Sequence, residues 1–294
     1  MDINRAEVLA EALPFIEEFR GSYVVIKYGG HAMLDERAKE WTIKDTILLR
    51  YVGMKPVIVH GGGPEISAAM EKMKKKPKFI EGLRVTDEET LDIATMVLVG
   101  KINAGIVSKI NALGCKAAGL SGKDGSLIIA KKKGPQKVIK KGVEKEVDLG
   151  LVGETEKINP EIIETLTLKD YIPVIAPIGL TKEGGSLNLN ADTVAGDIAS
   201  ALGAKKLIML TDVPGVLKNI KDAGSIIREL NTSKINTLIK KGIIKGSMIP
   251  KTDACKRAVW GGVEKAHIID GRVEHAILLE LFTDEGIGTM VHRG

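Results

Sequence analysis

Val24-Val25-Ile26-Lys27-Tyr28-Gly29-Gly30 governs the reading of this 294-residue chain. A short β-branched apolar run reads as a buried strand, and this one ends in a lysine followed by two glycines. Without Cβ atoms, a glycine turn lets backbone N–H groups approach a phosphoryl oxygen and lets the chain take φ > 0. A lysine at the end of a buried strand is costly unless something anionic meets it. The plainer alternative is a lysine snorkelling above an ordinary strand-to-helix turn.

Outward from that stretch, further apolar runs at 56–59, 172–177, 205–210 and 266–270 alternate with helical periodicity at 35–51 and 88–113. The alternation predicts a globular α/β fold. Before the first strand, residues 5–19 place Leu9, Ala12, Leu13, Ile16 and Phe19 on one face, with Pro14 inside the run. An amphipathic helix kinked at Pro14 is expected, packing on its own domain or on another subunit. Residues 126–150 alternate apolar and charged residues around Gly-Pro and Lys-Gly turns, which predicts β-hairpins at a domain edge.

Composition narrows the function. Hydrophobic residues make up 44% of the chain but aromatic ones only 3%, so the core is aliphatic and base-stacking positions are scarce. A net charge of +5, spread among interleaved acids, favours a small anionic ligand over nucleic acid. The lysines at 72, 74–76 and 131–145 read as solvated faces. Cys115 and Cys255 stand apart with no metal-ligand spacing, as buried residues in a reducing compartment do. The N-terminus is unlike a signal peptide and no apolar run reaches the roughly 18 residues of a membrane span, so a cytoplasmic protein without membrane contact is expected.

Five more stretches carry chemistry. The strand at 56–59 runs into His60-Gly61-Gly62-Gly63-Pro64, a second glycine turn aimed at a helix N-terminus. Its spacing is not that of a dinucleotide fingerprint or a P-loop; His60 is either a ligand or base or simply bonds backbone. Gly82-Leu83-Arg84-Val85-Thr86 offers an arginine suited to a carboxylate, or an exposed loop cation. In Asn188-Leu189-Asn190-Ala191-Asp192 the aspartate falls at a helix start, either as an N-cap or to hold lysines. Thr211-Asp212-Val213-Pro214-Gly215-Val216 is a turn at the C-terminal end of a strand, where ligands bind open α/β sheets. Gly246-Ser247-Met248 leads to Lys251 near another helix start, an odd place for a cation unless an anion is present. Two glycine turns, two lysines, an arginine and an Asn/Asp segment together suit phosphoryl transfer, in which positioned cations and backbone dipoles do most of the work.

In this combination, over essentially the whole chain, the sequence resembles the N-acetylglutamate kinases of the amino-acid kinase superfamily. The resemblance implies a three-layer α-β-α sandwich around a mostly parallel, eight-stranded open sheet. It also implies an oligomerisation helix at 1–20, an acylamino-acid lobe at 21–187 and a nucleotide lobe at 188–294. The implied reaction is ATP-dependent phosphorylation of the γ-carboxylate of N-acetyl-L-glutamate, the second step of arginine synthesis. Lys27 would stabilise the transferring phosphoryl group, Lys251 the leaving side, and Asp192 would hold both lysines. Backbone at Gly29, Gly30 and Gly62 would meet the phosphoryl group. Gly62, Gly63, Arg84 and Asn188 would bind the substrate. Thr211, Asp212, Gly215, Leu217, Gly246 and Met248 would frame ATP, with Mg2+ riding on its phosphates.

The arginine-inhibited branch is resembled through the N-terminal helix and through His267, Gly271, His275, Glu280 and 286–288. It implies an L-arginine site at Phe15, His267, Glu280, Gly286 and Gly288 and a hexamer built as a trimer of dimers; whether a PII-type protein is a partner of this chain is left open by the sequence. Phe15 stands where that branch usually has tyrosine. Alternatives are a kinase for carrier-linked aminoadipate or glutamate, which would differ around Arg84, and a non-catalytic arginine-sensing subunit, which would lack a lysine or Asp192.

Overall fold

The computed structural model of the chain describes residues 10–33, 35–80, 82–140 and 143–294. In chain order, α1 (Leu13–Phe19), β1 (Tyr23–Tyr28), α2 (Glu36–Tyr51), β2 (Lys55–His60) and α3 (Gly63–Lys72) precede a small hairpin, β3 (Phe79–Ile80) and β4 (Leu83–Arg84). The long helix α4 (Glu88–Ala112) leads to β5 (Ala117–Ser121), β6 (Ile128–Lys132), β7 (Gln136–Lys140), β8 (Val143–Val147) and β9 (Gly153–Ile158). Then come α5 (Glu161–Leu168), β10 (Ile172–Ala176), β11 (Ile178–Leu180), β12 (Ser186–Asn188), α6 (Ala191–Ala201) and β13 (Lys206–Thr211). The chain closes with β14 (Glu229–Asn231), α7 (Thr232–Lys240), α8 (Met248–Trp260), β15 (Lys265–Asp270), α9 (Ala276–Leu281) and β16 (Thr289–His292).

The α/β reading and the eight-stranded sheet are both borne out. Its order is β14-β16-β15-β13-β1-β2-β10-β5, with β14 and β16 running opposite to the other six strands. The apolar run at 24–26 forms β1 near the middle, parallel to β13 on one side and β2 on the other. Alternation along β1 sends Val24, Ile26 and Tyr28 into one core beneath α2, α3, α4 and α9, and Val25 into a second core with α6, α7 and α8. Lys27 therefore faces the second layer, toward α6 and α8.

Local chemistry sets the element boundaries. Asp35 caps α2 by accepting from Arg37 and Ala38, and Pro14 sits in the first turn of α1, where a missing N–H costs nothing. The part of the expected N-terminal helix before residue 10 lies outside the described residues. Two expectations need correcting. Of the stretch 126–150, only β7 and β8 pair as a hairpin, whereas β6 pairs antiparallel with β9 and parallel with β11 in a four-stranded sheet. Second, α4 does have the length and hydropathy of a membrane span. It is a core helix nonetheless, burying Leu91, Ile93, Val97, Leu98, Ile102, Ile106 and Ile110. Its middle, Met96–Asn103, is wound as a wider π-helix, a departure that periodicity alone does not reveal.

Candidate active site

Strand β1 delivers Lys27 to the second layer, where Asp192 waits on the first turn of α6. Lys27 Nζ lies 2.8 Å from Asp192 Oδ1, and Lys251 Nζ, from the first turn of α8, lies 2.8 Å from Oδ2. Asp192 is thus no helix cap. Asn190 caps α6 instead, its Oδ1 accepting from the N–H groups of Asp192 and Thr193 at 2.9 and 3.0 Å. That division of labour leaves both carboxylate oxygens of Asp192 for the lysines. Burial lowers the Lys27 pKa, Asp192 pulls it back up and Lys251 lowers it again. Burial alone would raise the Asp192 pKa, but the two ammonium groups outweigh it and hold the carboxyl below its usual range.

The two glycine turns meet beside this cluster. The Gly61 N–H donates to the Tyr28 carbonyl at 2.7 Å, which ties the end of β2 to the end of β1 and brings Gly29 against Gly61. Gly30 takes the left-handed conformation, φ +71°, as its turn requires. Gly62 precedes α3, and a Cβ there would meet Ile102 Cδ1 at 2.4 Å and Leu98 Cδ2 at 2.8 Å, so this backbone lies directly on the π-helical segment. Pro64 opens α3 as the sequence implies, leaving free N–H groups at the helix start.

Next to the turns is a cavity lined by Gly62, Gly63, Arg84, Asn188 and Ala191 among others. Arg84 is no loose loop cation. It is buried, donates to the Gly63 carbonyl and Ser67 Oγ at 2.8 Å each, and lies over the Phe79 ring. Asn188 Nδ2 donates to Thr86 Oγ1 at 3.3 Å, which holds it on the same wall. An arginine fixed in this way can receive a carboxylate in one orientation.

A separate cleft at the C-terminal end of β13 is lined by Thr211, Asp212, Gly215, Leu217 and Met248, with Ile220, Ile243 and Lys245; Gly246 lies in the turn between Lys245 and Ser247. Its apolar walls suit a flat heteroaromatic ring. Helix α8 joins this cleft to the lysine cluster, with Met248 at one and Lys251 at the other.

A third cavity lies where α1 meets β15 and α9, lined by Phe15, His267, Glu280, Gly286 and Gly288 together with Lys206, Lys265 and Arg228. His267 Nδ1 lies 2.5 Å from Glu280 Oε1, and Glu280 Oε2 accepts from the N–H groups of Ile287 and Gly288 at 2.6 and 3.0 Å. Glu280 is held as a carboxylate by His267 and these amides despite burial. His275, named with this group, lies apart from the cavity. It begins α9 and meets the buried Asp45 of α2 at 2.6 Å.

Sequence reasoning missed several contributors. Ser67, which orients Arg84, carries no signal of its own. Asp45 is hidden within an amphipathic helix. Asn103 did have a signal: it is a polar side chain in an apolar helical stretch, and it proves buried against His60.

Comparison with known proteins supports one reading of this geometry. Residues 22–270 match the sequence model of the amino acid kinase family. The chain is 58% identical over 291 residues to the acetylglutamate kinase of Methanocaldococcus jannaschii, covering 99% of this chain and 97% of that one. It is 58% identical over 291 residues to the acetylglutamate kinase of Methanothermobacter thermautotrophicus, covering 98% of this chain and 99% of that one. Among solved structures, N-acetylglutamate synthase from Neisseria gonorrhoeae complexed with coenzyme A and N-acetyl-glutamate superposes with a TM-score of 0.83 at 24% identity. The match covers 98% of this chain and 63% of the synthase, so the chain spans less than two thirds of that protein's length. The same synthase complexed with coenzyme A and L-arginine superposes with a TM-score of 0.80 at 23% identity. At these identities the likeness to the synthase is one of fold.

Proposed function

The chain belongs to the amino acid kinase family, and from that premise we propose how its residues carry out the ATP-dependent phosphorylation of N-acetyl-L-glutamate. Arg84 receives the α-carboxylate of the acetylated amino acid, with Asn188 and Gly63 on the same ligand. The γ-carboxylate is then turned toward the glycine turns. There, one of its oxygens attacks the γ-phosphorus of ATP, giving N-acetyl-L-glutamyl 5-phosphate and ADP. Lys27 and the backbone N–H groups of Gly30 and Gly62 stabilise charge on the transferring phosphoryl group, with Gly29 keeping the turn open. Lys251 stabilises charge on the leaving side, and Asp192 keeps both lysines in place without taking a proton.

Thr211, Asp212, Gly215, Leu217, Gly246 and Met248 hold the nucleotide. Mg2+ fits this arrangement as a passenger on the phosphates. Asp192 is committed to two ammonium groups, and among the described residues no three His, Cys, Asp or Glu side chains gather to hold an ion. The ion supplies charge neutralisation on the phosphates. The substrate lobe is 21–187 and the nucleotide lobe 188–294.

One observation carries the reading: a buried ammonium group and a half-buried one bracket a single buried carboxylate beside two touching glycine turns. A sensing subunit would have no use for that cluster. In the same reading L-arginine inhibits by occupying the cavity of Phe15, His267, Glu280, Gly286 and Gly288, whose mixed charges suit an amino acid with a guanidinium group, and the N-terminal helix joins dimers into a hexamer. The test is ATP- and Mg2+-dependent acyl-phosphate formation trapped with hydroxylamine, on N-acetyl-L-glutamate beside L-glutamate and N-acetyl-L-aspartate, with and without L-arginine. Hydroxamate from N-acetyl-L-glutamate alone supports the substrate, and its suppression by arginine the effector site. Absence of product from all three overturns the reading.

A further inference from the structure

The π-helical segment of α4 ends on Asn103, which is buried. Its Nδ2 donates to the Val174 carbonyl at 2.8 Å and lies 3.3 Å from the Leu120 carbonyl and 3.1 Å from His60 Nε2. The two carbonyls decide which way the amide faces, since only an NH2 group satisfies them. With that NH2 group facing it, His60 Nε2 carries a lone pair and not a proton, and the ring proton is on Nδ1, which donates to the Gly61 carbonyl at 2.9 Å. Burial keeps the imidazole neutral, with its pKa pushed down to about 4. Gly119, the partner of Val174 on β5, makes room: a Cβ there would lie 2.0 Å from Asn103 Oδ1.

No cis peptide occurs among the described residues, so the peptide joining Gly61 to Gly62 is planar and trans, and its N–H points opposite to its C=O. Whatever holds the Gly61 carbonyl therefore also aims the Gly62 N–H. From the other side, Ile102 and Leu98 of the same π-helical segment leave that backbone no room to retreat. We infer that Asn103 and His60 are positioning residues for phosphoryl transfer, a buried relay that orients the Gly61–Gly62 peptide so that its N–H faces the transferring group. The inference rests on the proposed contact between Gly62 and that group.

The experiment is steady-state kinetics on Asn103→Leu, His60→Leu and His60→Asn, with Lys27→Ala as reference and thermal unfolding as the check on folding. Asn103→Leu and His60→Leu should lower kcat by roughly tenfold to a hundredfold. KM for ATP and for N-acetyl-L-glutamate should stay within about threefold, because the affected contact strengthens in the transition state. His60→Asn, whose Nδ2 can replace Nδ1 as donor to Gly61, should recover most of the lost kcat. Unchanged kcat in folded Asn103→Leu and His60→Leu, or no recovery in His60→Asn, overturns the inference while an inactive Lys27→Ala leaves the reading of the site intact. Near-normal turnover in Lys27→Ala overturns both. Should the leucine variants not fold, 15N-histidine NMR of the unaltered protein decides: a neutral Nδ1–H ring at His60 near pH 7 supports the relay, and an Nε2–H or doubly protonated ring overturns it.

Discussion

Lys27 and Asp192 meet at 2.8 Å with side chains only 7% and 8% exposed, although one comes from the central strand and the other from the first turn of α6. Leaving either alone at that depth would be severely unfavourable. Together with Lys251 they form a cluster with one more positive charge than negative, a surplus suited to a phosphoryl group.

Lys27→Ala should lower kcat by about 10²–10³-fold with KM for both substrates little changed, as expected when a positioned charge acts mainly in the transition state. Steady-state kinetics on the purified variant, with circular dichroism to establish folding, is the check.

Asp192→Asn should move the alkaline limb of the pH–rate profile to lower pH. Desolvation already lowers the Lys27 pKa and Asp192 opposes it, so without the carboxylate the ammonium sheds its proton sooner as pH rises. The variant should also lose roughly 3–5 kcal/mol of stability, since the buried Lys27 and the half-buried Lys251 lose their shared partner. Denaturant titration measures the second effect separately from the first.

Arg84→Lys should raise KM for N-acetyl-L-glutamate roughly tenfold or more, about 1.4 kcal/mol, while leaving KM for ATP nearly unchanged. Lysine cannot hold the Gly63 carbonyl and Ser67 Oγ, lie over Phe79 and still offer a fork to a carboxylate. Varying each substrate at saturation of the other tests this.

His60 makes acid stability readable. Its folded pKa of about 4 lies below the ordinary value of 6.5, so between these limits the unfolded chain binds the extra proton. Stability is complete above the upper limit and declines as pH falls toward the lower one, by about 3 kcal/mol for this group. Urea titrations at pH 7 and pH 4 should show His60→Asn losing correspondingly less than the unaltered protein.

Gly62→Ala should destabilise by about 1–3 kcal/mol through crowding. The backbone there is extended and tolerates a side chain, so the cost comes from Ile102 Cδ1 and Leu98 Cδ2. Ile102→Val, which removes the nearer methyl, should recover part of the loss in the double variant. Equal unfolding midpoints for the single and double variants would remove this explanation.

The apolar run of β1, its lysine and the glycines after it were legible because strand periodicity, the cost of a buried charge and the freedom of a turn are all local properties. Arg84 and Asp192 were legible as residue types, but their alternatives could not be resolved locally. Asp192 is free for the lysines because Asn190 does the capping two residues earlier, and Arg84 is rigid because α3 supplies Ser67 and the Gly63 carbonyl and β3 supplies the Phe79 ring. The π-helical segment was illegible for a different reason: eight residues of wider winding leave the apolar pattern of 88–113 intact. The β6–β9 pairing was misread because a pattern of alternation gives a strand its faces and not its neighbour.

Strands β1 and β13 are hydrogen-bonded neighbours from Val24 and Lys206 to Lys27 and Met209. The strand that carries Lys27 and the strand that ends at the nucleotide cleft are therefore rungs of one ladder, not bodies joined by a loose tether. The distance from Lys27 to the cleft is thus fixed by backbone hydrogen bonds inside the sheet, so side-chain changes around either one leave their spacing unaltered.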